Sequence, residues 1–133
     1  MDATKIDQQQ RPKIVIVEDD HPVRRSTQLL LQAQGYSVKA FSTGVALLAD
    51  DAALDARCLI ADYLLEGIDG IGLLLALRER GWMEPAILVT GYWTPTLVEK
   101  ARTAGFSDVL EKPVRPRALV KILAQLISGQ SAN

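Results

Sequence analysis

Short apolar runs alternate along the chain with longer polar-apolar stretches of helical spacing. Lys13-Ile14-Val15-Ile16-Val17, Cys58-Leu59-Ile60-Ala61 and Ala86-Ile87-Leu88-Val89 are nearly unbroken apolar runs. Their length and their bounding turn residues predict strands covered on both faces. Tyr36 to Phe41 alternates, which predicts a half-covered strand, and Asp108 to Glu111 predicts a fifth. The intervening stretches predict helices. The first opens at His21-Pro22, with proline at a favoured first position, and stops at Gly35. The second is capped by Ser42 or Thr43 and runs to about Ala53. The others are Ile71 to Arg80 closed by Gly81, Pro95 to Ala104 ended by Gly105, and Pro116 to Ile127. Strand and helix alternate five times with short loops. This predicts an α/β fold: one five-stranded parallel sheet with helices on both faces, a three-layer α/β/α sandwich. Residues 1–12 are expected to be a disordered lead-in, 13–128 a single domain, and 129–133 a flexible tail.

Parallel connections bring the carboxyl ends of all strands to one edge of the sheet. The residues at or just past those ends include Glu18, Asp19, Asp62, Thr90 and Lys112. Open α/β sheets bind ligands on this edge. A carboxylate that ends a buried strand is desolvated, so it must be paired, hold a metal or react. Three clustered acids repel one another unless a cation or protons intervene. Hard oxygen donors with room for water suit Mg2+, or Mn2+, with Asp19 and Asp62 as direct ligands and Glu18 acting through water. Asp62 then keeps an oxygen free to act as a nucleophile. Thr90 supplies a donor and Lys112 a cation for the oxygens of an incoming phosphoryl group. Phosphoryl transfer asks for little beyond such positioning and charge neutralisation.

At 133 residues the chain is one domain by size, and its net charge of −1 offers no bulk attraction to nucleic acid or membrane. No apolar stretch approaches the ~20 residues needed to span a bilayer. The single cysteine, Cys58, excludes an intramolecular disulfide and fits a reducing, cytoplasmic setting. Its place in an apolar strand predicts an inert, packed thiol. His21 reads as a solvated helix-start residue. Gly67, Gly70 and Gly72 read as turn glycines, because their spacing is not that of a dinucleotide-binding loop.

Val17-Glu18-Asp19-Asp20, Asp62 with Gly70 eight positions on, Val89-Thr90 and Lys112-Pro113 together resemble the receiver domain of two-component response regulators, the CheY-like superfamily. The resemblance covers Lys13 to Ile127. It implies a flavodoxin-like fold with strand order 2-1-3-4-5. It implies that Asp62 is the phosphoacceptor, and that Glu18 and Asp19 are the acidic metal pair. The backbone carbonyl of Leu64 would be the third metal contact. Thr90 would be the hydroxyl that follows the phosphoryl group and Lys112 the lysine that holds it, with Lys112-Pro113 a cis peptide. The implied donor is a histidine kinase or a histidine phosphotransfer protein. The implied chemistry is self-catalysed phosphotransfer and dephosphorylation, not multiple-turnover catalysis.

Three positions depart from the family pattern. Val109 stands where an aromatic usually precedes the lysine by three residues, Leu65-Glu66 replaces a usual Met-Pro, and Leu64 and Tyr92 flank the expected path of hydrolytic water. An apolar group and a bulky ring there predict a long-lived phosphoform. The expected reading surface is the fourth helix, fifth strand and fifth helix, carrying Lys100, Arg102, Arg115, Arg117 and Lys121. The expectation is a stand-alone regulator acting through a protein partner or self-association, without direct nucleic-acid contact or membrane insertion. A receiver-like interaction module that works without phosphorylation is the alternative. An aspartyl phosphatase resembling the haloacid dehalogenase family would need a second acid two residues after its nucleophile, and Leu64 is there.

Overall fold

The computed structural model describes residues 11–131; most of the expected lead-in, residues 1–10, and the last two residues lie outside the described residues. The strands are β1 Lys13–Val17, β2 Ser37–Phe41, β3 Cys58–Asp62, β4 Ala86–Thr90 and β5 Asp108–Glu111. The helices are α1 His21–Ala33, α2 Gly44–Leu48, α3 Gly70–Glu79, α4 Pro95–Ala104 and α5 Pro116–Ser131, with a 3-10 turn at Asp51–Asp55. The five strands form one parallel sheet in the order β2-β1-β3-β4-β5. This is the flavodoxin-like order that the resemblance implied.

Alternation along each strand builds two cores from one sheet. Ile14, Ile16, Cys58, Ile60, Ile87 and Val89 face one side, where Leu31 of α1 and Leu119, Leu123 and Ile127 of α5 cover them. Val15, Val17, Leu59, Ala61, Leu88 and Val109 face the other, under Leu47 of α2, Ile71, Leu74 and Leu77 of α3, and Leu97 and Ala101 of α4. The central strands β3 and β4 are buried at every position. That double cover is why their sequences read as continuous apolar runs. Cys58 lies wholly within this packing, and burial pushes its thiol up to about 12, so the reactive thiolate is scarce near neutral pH.

Two helix ends differ from the sequence expectation by more than a residue or two. The second helix ends at Leu48 instead of near Ala53. Thr43 caps it as expected, accepting from the Ala46 amide at 3.1 Å. The Asp50 carboxylate then accepts from the Ala52 amide at 2.9 Å and starts a separate 3-10 turn, while its other oxygen pairs with Lys39. A short polar side chain competing for local amides breaks the helix here. The last helix runs to Ser131, past Ile127 and into the stretch expected to be a flexible tail. Gly129 does not adopt a left-handed conformation there, so it does not act as a stop. By contrast Gly35 and Gly105, with φ of 98° and 116°, close α1 and α4 where the sequence placed their ends.

The sheet also reaches beyond its strand ends. The Glu18 amide donates to the Phe41 carbonyl at 3.0 Å, the Tyr63 amide to the Val89 carbonyl at 2.9 Å, and the Lys112 amide to the Thr90 carbonyl at 2.8 Å. Each polar residue just past a strand is therefore held on rigid backbone. Among the described residues, no helix is long and apolar enough to cross a membrane.

Candidate functional site

Glu18, Asp62 and Lys112 come from three separate strand ends and meet directly. The Lys112 ammonium donates to Glu18 Oε1 at 2.8 Å and to Asp62 Oδ2 at 2.9 Å. Glu18 is 5% exposed and Asp62 is 7% exposed, so both carboxylates share one cation in a poorly solvated place. The second Glu18 oxygen accepts from the Asp20 amide at 3.3 Å. Asp19 is exposed at the rim, yet one oxygen each from Glu18, Asp19 and Asp62 lie within 4.8 Å of one another.

Burial is the main force on the Glu18 carboxyl, raising it from 4.5 to about 7; the Asp62 charge adds to this, while Lys112 and the Asp20 amide act against it. Burial alone would lower the Lys112 ammonium, but its hydrogen bonds to Glu18 and Asp62 outweigh that and raise it. A folded-state value above the unfolded one means that the folded protein binds a proton more readily. Glu18 therefore contributes stability fully below about 4.5, and the contribution is lost as pH rises through about 7. Chelator-treated protein is expected to melt at a lower temperature at pH 8 than at pH 5 through this group. Glu18→Gln should flatten that part of the profile, which thermal melts across the range will read.

Three hard carboxylates this close, with one lysine between two of them, fit a small divalent cation such as Mg2+. A cation would relieve the same repulsion that Lys112 and a proton on Glu18 relieve in its absence.

Thr90 is fully buried at the end of β4, and its hydroxyl accepts from the Tyr92 amide at 2.9 Å. Its carbonyl is the one that holds the Lys112 amide, so the two positions are tied through the backbone. Leu64 is two residues past Asp62 in the β3–α3 loop, with its side chain half exposed. Tyr92 and Trp93 lie exposed in the loop that follows β4. A cleft of about 450 Å³ between α1 and α5 is lined in part by Glu18, Asp62 and Lys112, so the buried acids remain reachable. The Lys112–Pro113 peptide is cis, as the resemblance implied.

Two residues take part in a way that the sequence did not disclose. Gly70 and Gly72, both read as turn glycines, lie in α3 instead, and Gly70 is its first residue. A Cβ there would stand 2.5 Å from the Asp62 carbonyl oxygen and 2.8 Å from Leu88 Cδ1. Arg24, in the first turn of α1, donates to the carbonyls of Glu18 at 2.8 Å and Asp19 at 3.4 Å. A basic residue six positions after Glu18, on a helix that begins at once, was the available signal.

The response regulator receiver domain model matches residues 14–124. The chain belongs to this family. A transcriptional regulatory protein FixJ of Azorhizobium caulinodans is 33% identical over 118 residues, which cover 89% of this receiver chain and 56% of the relative. The C4-dicarboxylate transport transcriptional regulatory protein DctR of Rhodobacter capsulatus is 34% identical, over 89% of this chain and 61% of its own length. The receiver thus spans only about three fifths of the length of these two relatives. Among solved structures, the BeF3-activated DrrB receiver domain superposes with a TM-score of 0.82 at 27% identity, covering 89% of this chain and 98% of that one. A CheY-like receiver domain protein from Methanospirillum hungatei superposes with a TM-score of 0.83 at 27% identity, covering 92% and 98%.

Proposed function

We propose that this receiver accepts a phosphoryl group on Asp62 and signals by the rearrangement that follows. The observation that carries the reading is the shared Lys112 ammonium, bonded at 2.8 and 2.9 Å to acids from two other strands. Nothing in the core needs that meeting; a phosphoryl group arriving at Asp62 does.

In the proposed step an Asp62 oxygen forms a bond to phosphorus while the bond to the donor's histidine nitrogen breaks. The histidine leaves with the electron pair of that bond. Glu18, Asp19, Asp62 and the Leu64 carbonyl would hold Mg2+, which when bound supplies positive charge to the phosphoryl oxygens. Lys112 releases Glu18 and takes a phosphoryl oxygen. Thr90, whose hydroxyl keeps its hydrogen free while accepting from the Tyr92 amide, shifts toward another and donates to it. Both shifts lie where β4 and β5 feed α4 and α5. The exposed residues Lys100, Arg102, Arg115, Arg117 and Lys121 decorate that side and would meet an acidic surface of a protein partner. Val109 is buried under α4, so the relay proceeds without the family's usual aromatic at this position.

The test is intact mass after incubation with Mg2+ and acetyl phosphate. One phosphoryl adduct is expected, absent in Asp62→Asn and absent with chelator. No adduct from acetyl phosphate or from a phosphohistidine donor would favour an interaction module that works unphosphorylated. The exposed Tyr92 ring and Leu64 side chain stand beside the route that water would take to the phosphoryl group. Tyr92→Ala is therefore expected to shorten the phosphoform's half-life severalfold, as followed by mass after donor removal. An unchanged, short half-life would contradict the shielding role.

A further inference from the structure

The turn between β1 and α1 carries two of the three acids, and its geometry needs an explanation that the acids themselves do not provide. The Glu18 amide is fixed by the sheet through the Phe41 carbonyl. The Asp20 carbonyl is fixed by the helix, where it accepts from the Arg24 amide at 2.9 Å. Between them, the carbonyls of Glu18 and Asp19 lie outside both the ladder and the helix. The Arg24 guanidinium takes both, with one nitrogen at 2.8 and 3.4 Å. Helical side chains lean toward the helix start, which lets residue 24 reach back over the turn.

We infer that Arg24 is a positioning residue for the Glu18–Asp19 acid pair and thereby sets the protein's affinity for Mg2+. The inference rests on the metal-assisted reading of the site, and it deepens that reading. Arg24 touches neither the acids' carboxylates nor Asp62 in the contacts described; it acts through backbone carbonyls. The chemistry offers two opposing effects. The guanidinium charge lies near the acid pair and repels a dication, so removing the charge alone would tighten Mg2+ binding. Removing the hydrogen bonds frees the turn, and carboxylates that must converge within 4.8 Å lose their alignment. Partners that orient metal ligands typically govern affinity by about 10–100-fold. The charge effect is smaller because Arg24 is partly exposed and screened. Alignment therefore decides the sign.

The experiment is a MgCl2 titration of the full chain, followed by amide chemical shifts of the β1–α1 turn, for the unsubstituted protein, Arg24→Gln and Arg24→Lys. Arg24→Gln is expected to weaken Mg2+ binding about tenfold. Arg24→Lys keeps the charge and a single nitrogen donor but on a shorter stem that reaches the two carbonyls less well, and should fall between. Hydrogen exchange at the Asp19 and Asp20 amides of metal-free protein should quicken in the Gln variant, a readout independent of metal and of phosphorylation. Unchanged or tighter binding in Arg24→Gln overturns the inference while leaving phosphorylation of Asp62 intact as a reading. A purely structural role would lower the melting temperature without changing affinity, and this also overturns it. If the unsubstituted protein shows no response to Mg2+, the metal-assisted reading itself fails, and the inference with it.

Discussion

Lys112→Met is expected to slow formation of the phosphoryl adduct by about 100-fold, the scale seen when one charge-stabilising donor is removed from a transition state. The residue is asked to do two things, and the variant separates them. In the resting protein Lys112 holds Glu18 and Asp62 together; in the proposed transfer it would meet charge spreading over the phosphoryl oxygens. Methionine keeps most of the aliphatic stem and removes the ammonium. Breaking a buried pair from one side leaves the other side uncompensated. Lys112 is partly exposed, so a loss of about 2 kcal/mol is expected for metal-free protein above pH 7, below the range for fully buried pairs. The loss should be smaller at pH 5, where Glu18 carries a proton that takes over part of the lysine's role. Phosphorylation rates by mass, and urea unfolding at the two pH values, read the two roles separately.

Gly70→Ala is expected to destabilise the protein by about 3 kcal/mol, at the upper end of overpacking costs. The added methyl would meet backbone at 2.5 Å, not a side chain that can turn away. Neither side of the clash can easily withdraw: Asp62 ends a fully buried strand, and the Gly70 amide is bound to the Tyr63 carbonyl at 2.9 Å. The strain falls on the peptide that carries Asp62, the proposed phosphoacceptor, so phosphorylation should slow even at temperatures where the variant is folded. Gly72→Ala is the control. Its methyl would meet Ile68 Cγ1 at 3.0 Å, a side chain and not backbone, so a smaller change in stability than at Gly70 is expected. Urea unfolding of the two variants checks the contrast.

The strands were legible because burial on both faces removes polar positions, leaving runs such as Ala86 to Val89 between turn residues. From the strands followed the shared edge, and from the edge the meeting of Glu18, Asp62 and Lys112. The helix closed by Gly105 was legible for a local reason, its left-handed stop. What escaped the sequence depends on contacts at a distance or on close local competition. Gly70 is one of the positions that carry the resemblance, but its close approach to the Asp62 backbone is visible only once β3 is placed against it. Asp50 could have continued a helix or broken one, and the choice went to its bond with the Ala52 amide and its pair with Lys39. Gly129 carries the residue type of a stop without the conformation of one. Arg24 reads as one more surface cation until the turn that it closes is drawn.

The resting arrangement also explains why Thr90 was named from the sequence yet makes no bond to the other site side chains among the described contacts. Its hydroxyl serves the Tyr92 amide, which orders the loop that follows β4. A phosphoryl group that takes the hydroxyl's hydrogen would pull on the same oxygen that holds the Tyr92 amide, linking the chemistry to the surface beside it.

The most direct measurement locates the phosphoryl group. Protein treated with Mg2+ and acetyl phosphate is reduced with borohydride, which converts an aspartyl phosphate to homoserine, and then digested and mapped by mass. The account predicts homoserine at position 62 alone, only when both Mg2+ and the donor are present. Reduction product at Glu18 or Asp19, or none at Asp62 despite a phosphoryl adduct on the intact chain, would contradict it.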